Sequence, residues 1–273
     1  MERKEAFEKL VALISSIKGV EAIGQSGSGK LPAADESDVD VFIFCSRIPE
    51  PEVRREALMP LAGAMGSVEI GALHSRHWGE GDCLDLSGME VWLMYFDAQA
   101  QREYLEAVLR GEHPDKVDNY FYPTGRLASI AGMKPLYDRS GWLQSAKELL
   151  REYPVALARK LAARHASMLG DTEDLERAVS RGDVLFYHFA LDLALDHFLT
   201  AIFALNRAYF PSRKRSLEIA RGFKTRPEGM SKRLHTVLEL GGKPGTLRES
   251  LEEWEKLAGE LRALVERDAE SAE

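Results

Sequence analysis

Cysteine is nearly missing: Cys45 and Cys83 are the only two in 273 residues. Two are too few for a disulfide framework, and neither has a partner at the spacing of a metal knuckle. Both fall in strand-like segments and read as reduced structural thiols. An excess of positive charge is missing too. The formal net charge is -8, which argues against a general affinity for DNA or RNA, because phosphate backbones reward basic surfaces. No apolar run approaches the length of a membrane span, and the N-terminal MERKEAFEKL lacks the apolar stretch of a signal peptide. These features predict a cytoplasmic protein that binds neither nucleic acid nor membrane. What is present is the balance of a globular protein, 45% hydrophobic and 29% charged, in a chain long enough for one large or two ordinary domains.

Strand signals crowd into the first half of the chain. A helical pattern over residues 2–18 stops at Gly19, and a short strand over 20–24 runs into a Gly/Ser-rich turn. DVDVFIFC, Asp38 to Cys45, is the clearest strand in the sequence, β-branched and aromatic behind alternating acids. Glu52–Met65 reads as helix and Ser67–His74 as strand. A hairpin follows, Asp82–Leu86 and Met89–Phe96 joined by Ser87-Gly88, then a helix over Ala98–Arg110 and an edge strand at Lys134–Tyr137. Beyond about Asp138 the periodicity is almost wholly helical, at 141–153, 155–169, 183–209, 213–223, 230–240 and 246–268. The expected fold class is α+β: a mixed sheet flanked by helices in residues 1–138, then an all-helical bundle in 139–273.

The stretch beginning at Gly24, GQSGSGKLPAADESDVDVF, contains two competing phosphate motifs. Gly24-x4-Gly29-Lys30 starts like a P-loop. That motif needs Ser or Thr next, then a helix whose N-terminal amides meet the phosphate. Here Leu31 and Pro32 follow, and the next strand opens too soon for a crossover helix of about ten residues. The P-loop is excluded. The other motif is Gly27-Ser28, a short connector, then Asp38-Val39-Asp40. Residues i and i+2 of a strand share a face, so the two carboxylates project side by side. Buried together without compensation they would cost several kcal/mol, roughly. A divalent cation resolves that conflict: Mg²⁺ takes oxygen ligands at about 2.1 Å, commonly one or two carboxylates plus substrate phosphates.

In these residues the sequence resembles the DNA polymerase beta-like nucleotidyltransferase superfamily, whose members carry Gly-Ser at a strand end and Asp-x-Asp on the next strand. The resemblance implies that Ser28 or Ser26, with Gly27 and neighbouring amides, holds the β- and γ-phosphates of an NTP. It also implies that Asp38 and Asp40 bind Mg²⁺, two ions in all. A third carboxylate is required nearby, as metal ligand or as base. A two-residue turn at Ser87-Gly88 sets Asp85 opposite Glu90, and two acids directly opposed destabilise a sheet unless one is neutralised. Glu90 opens the strong strand GMEVWLMYFD, where the superfamily usually places its third acid, so the resemblance implies that Glu90 takes this role, with Asp85 in reserve. Trp92 shares Glu90's face and could line the cleft; the other tryptophans read as packing.

The helical half adds further expectations. Nine basic residues lie between Arg207 and Arg233 (Arg207, Arg213, Lys214, Arg215, Arg221, Lys224, Arg226, Lys232, Arg233) against Glu218 and Glu228. That excess suits a compact anion such as a triphosphate, or else a solvated helical face. His188, Asp192 and Asp196 recur every four residues on an apolar helix, as a hydrogen-bonded seam or as a stripe for a cationic acceptor. The resemblance extends loosely to a small-molecule, antibiotic-type branch whose C-terminal helical domain closes the cleft. It implies that Lys214, or Arg207, reaches the triphosphate. The expected function is Mg²⁺-dependent transfer of NMP from an NTP to a hydroxyl or amine of a small-molecule acceptor. Transfer to a protein partner of toxin-antitoxin type, or a non-catalytic nucleotide-binding module, are the alternatives. No residue pattern selects the nucleobase or an oligomeric state.

Overall fold

Phe7, Leu10 and Ile14 recur at helical spacing and are all buried on one side of α1 (Arg3–Ser15), which ends before the left-handed Gly19 (φ +95°). The structure is a computed structural model and describes residues 2–27, 31, 38–75, 77–114 and 121–271. Six strands follow in the first half: β1 (Val20–Gln25), β2 (Val39–Cys45), β3 (Met65–Ser75), β4 (Gly79–Leu86), β5 (Glu90–Asp97) and β6 (Lys134–Asp138). They form one mixed sheet in the order β3-β4-β5-β2-β1-β6. The β2–β5 pair is parallel and every other pair antiparallel. Antiparallel pairing of β1 with β2 leaves no parallel crossover for a P-loop helix, in line with its exclusion from sequence.

The chain folds as two units, one of residues 1–106 with 126–152 and the other of 107–125 with 153–273. In the first unit, Val39, Val41 and Ile43 of β2 join Val91, Leu93 and Tyr95 of β5 and the apolar side of α1 in one core. Phe42 and Phe44 point to the opposite face, where Phe44 stacks on Trp142 of α5 (Trp142–Leu149) at 4.0 Å. Alternation of this kind is what period-two strands impose when both faces are covered. The second unit packs α6 (Val155–Met168), α7 (Glu173–Arg181), α8 (Val184–Leu205), α10 (Met230–Leu240) and α11 (Leu247–Glu270) around Trp254, Phe198 and Tyr187. The expected α+β class therefore stands.

Several local expectations are corrected. Glu52–Met65 is an α-helix, α2, only over Pro51–Leu58; Met59–Ala64 tightens into 3₁₀ turns around Pro60 and Gly63, and Met65 already opens β3. The pattern at 213–223 yields only the short α9 (Ser216–Ala220). Helix α3 (Ala98–Leu109) follows the expected pattern. Helices α4 (Pro123–Gly132) and α7 were not expected, although α7 carries plain signals: Glu173, Asp174 and Glu176 in its first turn and Gly182 (φ +63°) at its end. The expectation that no run approaches a membrane span also fails. Helix α8, of 22 residues, is long and apolar enough by length and composition, but 61% of its most apolar stretch is buried inside the fold. Its apolarity serves as the core of a helical unit.

Candidate functional site

Asp38 and Asp40 stand where β2 begins. Asp40 is half-buried on the face opposite Val39 and Val41, while Asp38, one residue before the strand, is exposed. The cost of lost hydration thus falls on Asp40 rather than on the pair, a correction to the expectation that both acids open the buried strand. On the neighbouring strand the Ser26 N–H donates to the Asp40 carbonyl at 2.9 Å. This continues the register Gly24↔Phe42 and Gln25↔Val41 and sets Ser26 on Asp40's face. Gly27 follows at φ +75°, left-handed backbone that glycine adopts without strain. Ser28 lies outside the described residues.

The hairpin behaves as its turn dictates. Leu86 and Met89 exchange N–H···O bonds of 2.8 and 3.2 Å across Ser87 (φ 55°) and Gly88 (φ 72°), and Asp85 pairs with Glu90. Positive φ at both central residues is the type I′ turn that matches strand twist. Each of the opposed acids has a donor of its own. Asp85 Oδ1 accepts the Gly88 N–H at 2.7 Å, which ties Asp85 into the turn. Glu90 Oε1 accepts the Trp92 indole N–H at 2.8 Å, and Glu90 is exposed.

Parallel pairing of β2 with β5 brings the two sets of acids together. Asp40 is in register with Trp92 and Val39 with Val91, so one residue back Asp38 falls beside Glu90. On β4, Cys83 pairs with Trp92 on one side and with Glu69 of β3 on the other. The row Asp40, Trp92, Cys83 and Glu69 thus crosses four strands on one face. Burial pushes the Cys83 thiol up, and the charges of Glu90, Glu69 and Asp38 push it further. Carboxylates from β3, from β5 and from the residue just before β2 therefore act on one small region of sheet. Sequence patterns had not brought Glu69 or Cys83 into it. Among the described residues, no three His, Cys, Asp or Glu side chains are gathered closely enough to hold a metal by themselves. Asp38 and Asp40 offer the donor set of a hard cation that completes its shell with substrate phosphates and water.

The same face carries a buried cation. Arg126 lies 4.5 Å from the Phe96 ring centroid, 5.1 Å from that of Phe42 and 5.3 Å from that of Trp78, and donates to the His77 carbonyl. Burial pulls its guanidinium down to about 10, and the ring faces offset part of that cost. Its signal in the sequence was an arginine within an otherwise small and apolar helix.

In the second unit the stripe of His188, Asp192 and Asp196 has a cation built in. Arg213 Nε donates to Asp196 Oδ1 at 2.6 Å and its Nη1 pairs with Asp192, while the Tyr122 hydroxyl donates to Asp196 Oδ1 at 2.7 Å. Both acids expected to meet an external cation are engaged from within. Arg213 and Arg233 are likewise held by carboxylates, Arg233 by Glu253 and Glu260, which reduces the basic excess expected between Arg207 and Arg233. Lys214 and Arg207 are exposed. A cavity of about 250 Å³ is lined by Tyr122, His165, Asp196, His197, Thr200 and Phe210 among others. His165 places Nε2 2.7 Å from the Pro114 carbonyl and Nδ1 2.9 Å from His197 Nδ1. The carbonyl only accepts, so a neutral His165 carries its proton on Nε2 and accepts from His197. The polar walls are thus largely satisfied by one another.

Residues 121–215 match the model of a family described as "Domain of unknown function (DUF4037)". No curated protein matches the chain. Among solved structures, the chain is similar to a nucleotidyltransferase-like protein from Exiguobacterium sibiricum 255-15, with 15% identity and a TM-score of 0.46, over 94% of this chain and 75% of that one.

Proposed function

We propose that the protein is a Mg²⁺-dependent nucleotidyltransferase that moves a nucleoside monophosphate from an NTP to a hydroxyl or amine of a small molecule. The observation that supports this best is one shared face. Asp38 immediately precedes β2 and Asp40 lies in its first pleat, Ser26 at the end of β1 lies opposite Asp40, and Glu90 begins the parallel β5 beside β2.

In this reading Asp38 and Asp40 hold the metal-bound triphosphate, and the amides around Ser26 and Gly27 receive its outer phosphates. Bound Mg²⁺ supplies neutralisation of the charge that develops on the phosphate oxygens. The acceptor oxygen or nitrogen forms a bond to the α-phosphorus from the side opposite pyrophosphate. The bond from that phosphorus to the bridging oxygen breaks, and pyrophosphate leaves with the electron pair. Glu90 takes the proton of the acceptor. Because little covalent chemistry is asked of the protein, positioning and charge supply most of the acceleration.

Pyrophosphate release, measured with each of ATP, GTP, CTP and UTP over a panel of hydroxyl and amine acceptors, tests the proposal. Release is expected from the wild type with Mg²⁺ and not in EDTA. Asp40→Asn is expected to lower it at least about a hundredfold, the scale of losing a transition-state electrostatic group, with an unchanged circular dichroism spectrum. Full activity in Asp40→Asn would refute the assignment.

A further inference from the structure

We propose that Trp92 is a positioning residue for Glu90, an inference that rests on the nucleotidyltransferase reading. A carboxylate on a solvent-exposed strand end turns freely about its side-chain bonds, and such freedom costs rate when one oxygen must meet one proton. Trp92 removes that freedom. Its indole N–H donates to Glu90 Oε1 at 2.8 Å, and two residues along a strand share a face, so the bond needs no bend in β5. The backbone of Trp92 is fixed on both sides in the sheet, in register with Asp40 and with Cys83, so the indole projects from an anchored Cα. One lone pair of Glu90 Oε1 is thereby engaged, and the carboxylate plane is set. Oε2 has no hydrogen-bond donor among the described residues and is the more open oxygen for an acceptor hydroxyl or amine.

The bond also bears on charge. An indole N–H is a donor and no acceptor, so it orients a Glu90 oxygen and adds no competing base. Phenylalanine at this position would keep the ring's bulk beside Asp40 and lose the donor. The Glu90 carboxylate would then sample several rotamers, with the nucleotide still bound as before.

Steady-state kinetics of pyrophosphate release on the full chain separate these effects. Trp92→Phe is expected to lower kcat about tenfold, the scale of a lost hydrogen bond to a charged group, while KM for the nucleotide stays within about twofold. Trp92→His, which restores a ring N–H, is expected to recover part of kcat, and thermal unfolding checks that both variants remain folded. If Trp92→Phe keeps the wild-type kcat, or changes KM alone, the positioning role is overturned and nucleotidyl transfer stands. If the wild type releases no pyrophosphate with any of the four nucleotides, nucleotidyl transfer is overturned and the role of Trp92 falls with it.

Discussion

Cys83 is a built-in probe of the acidic face. It is half-buried, whereas Cys45, the other thiol, is fully buried and pushed up to about 12, mainly by burial. Alkylation of the native protein should therefore report on Cys83. Its thiol is raised by burial and then by Glu90, Glu69 and Asp38, so the thiolate is scarce at neutral pH. A cation seated among those carboxylates cancels their field, lowers the thiol's pKa and speeds alkylation. Millimolar Mg²⁺ is expected to raise the rate at pH 8 in the wild type and not in Asp38→Asn/Asp40→Asn. A rate indifferent to Mg²⁺ would count against a metal on this face. A second pair belongs to stability. Arg54 and Asp82, both almost wholly buried, meet at 3.2 Å in the core of the first unit. Burial raises the Asp82 carboxyl above its ordinary 3.8, against the pull of the Gly71 amide and Arg54. A carboxyl raised in the folded state contributes fully below 3.8, and that contribution is lost as pH rises through the folded value. Removing Arg54 leaves the ionised form unpaired, so Arg54→Met should cost about 3–5 kcal/mol at pH 7 and less at pH 4 in urea unfolding. The double variant Arg54→Met/Asp82→Leu should recover most of the loss.

The hairpin β4–β5 shows what one element settles locally. Two positive-φ residues, Ser87 and Gly88, fix the register, and that register sets Asp85 against Glu90. Since Ser87 occupies a conformation that asparagine adopts more readily, Ser87→Asn should stabilise the protein, and Gly88→Ala should destabilise it by about 1 kcal/mol. Chemical denaturation of the two variants measures both; equal midpoints would mean that this turn does not limit stability. The turn and the pairing of the two acids were legible from the dipeptide alone. The bond from Trp92 to Glu90 was not, because alternation tells that positions 90 and 92 share a face without telling which rotamers they take. Helix α8 is a similar case. Its polar stripe was visible at a four-residue spacing, but the partner, Arg213, comes from a separate segment.

At the scale of the whole chain, the two units interleave in sequence. Residues 107–125 belong to the helical unit although 126–152 return to the first. Truncation after Glu152 would strand Tyr122, which is buried against Phe210 (ring centroids 4.8 Å apart) and bonded to Asp196. A fragment of residues 1–152 is expected to be aggregation-prone in size-exclusion chromatography. One lacking Tyr122 should unfold at lower temperature than a fragment of 107–273, and equal stability would show that this interleaving is inert.

Sequence alone determined the segregation of strands before helices, the shared face of Asp38 and Asp40, and the exclusion of a P-loop. Those properties follow from spacing along the backbone, with periods of two and 3.6 residues and a minimum crossover length. Tertiary structure alone decided that β2 runs parallel beside β5, and hence that Asp40 is in register with Trp92. It also decided that Arg213 takes up Asp192 and Asp196. Periodicity states which way a side chain faces; what it faces depends on long-range packing, where the entropy of closing the chain is set against burial and charge pairing.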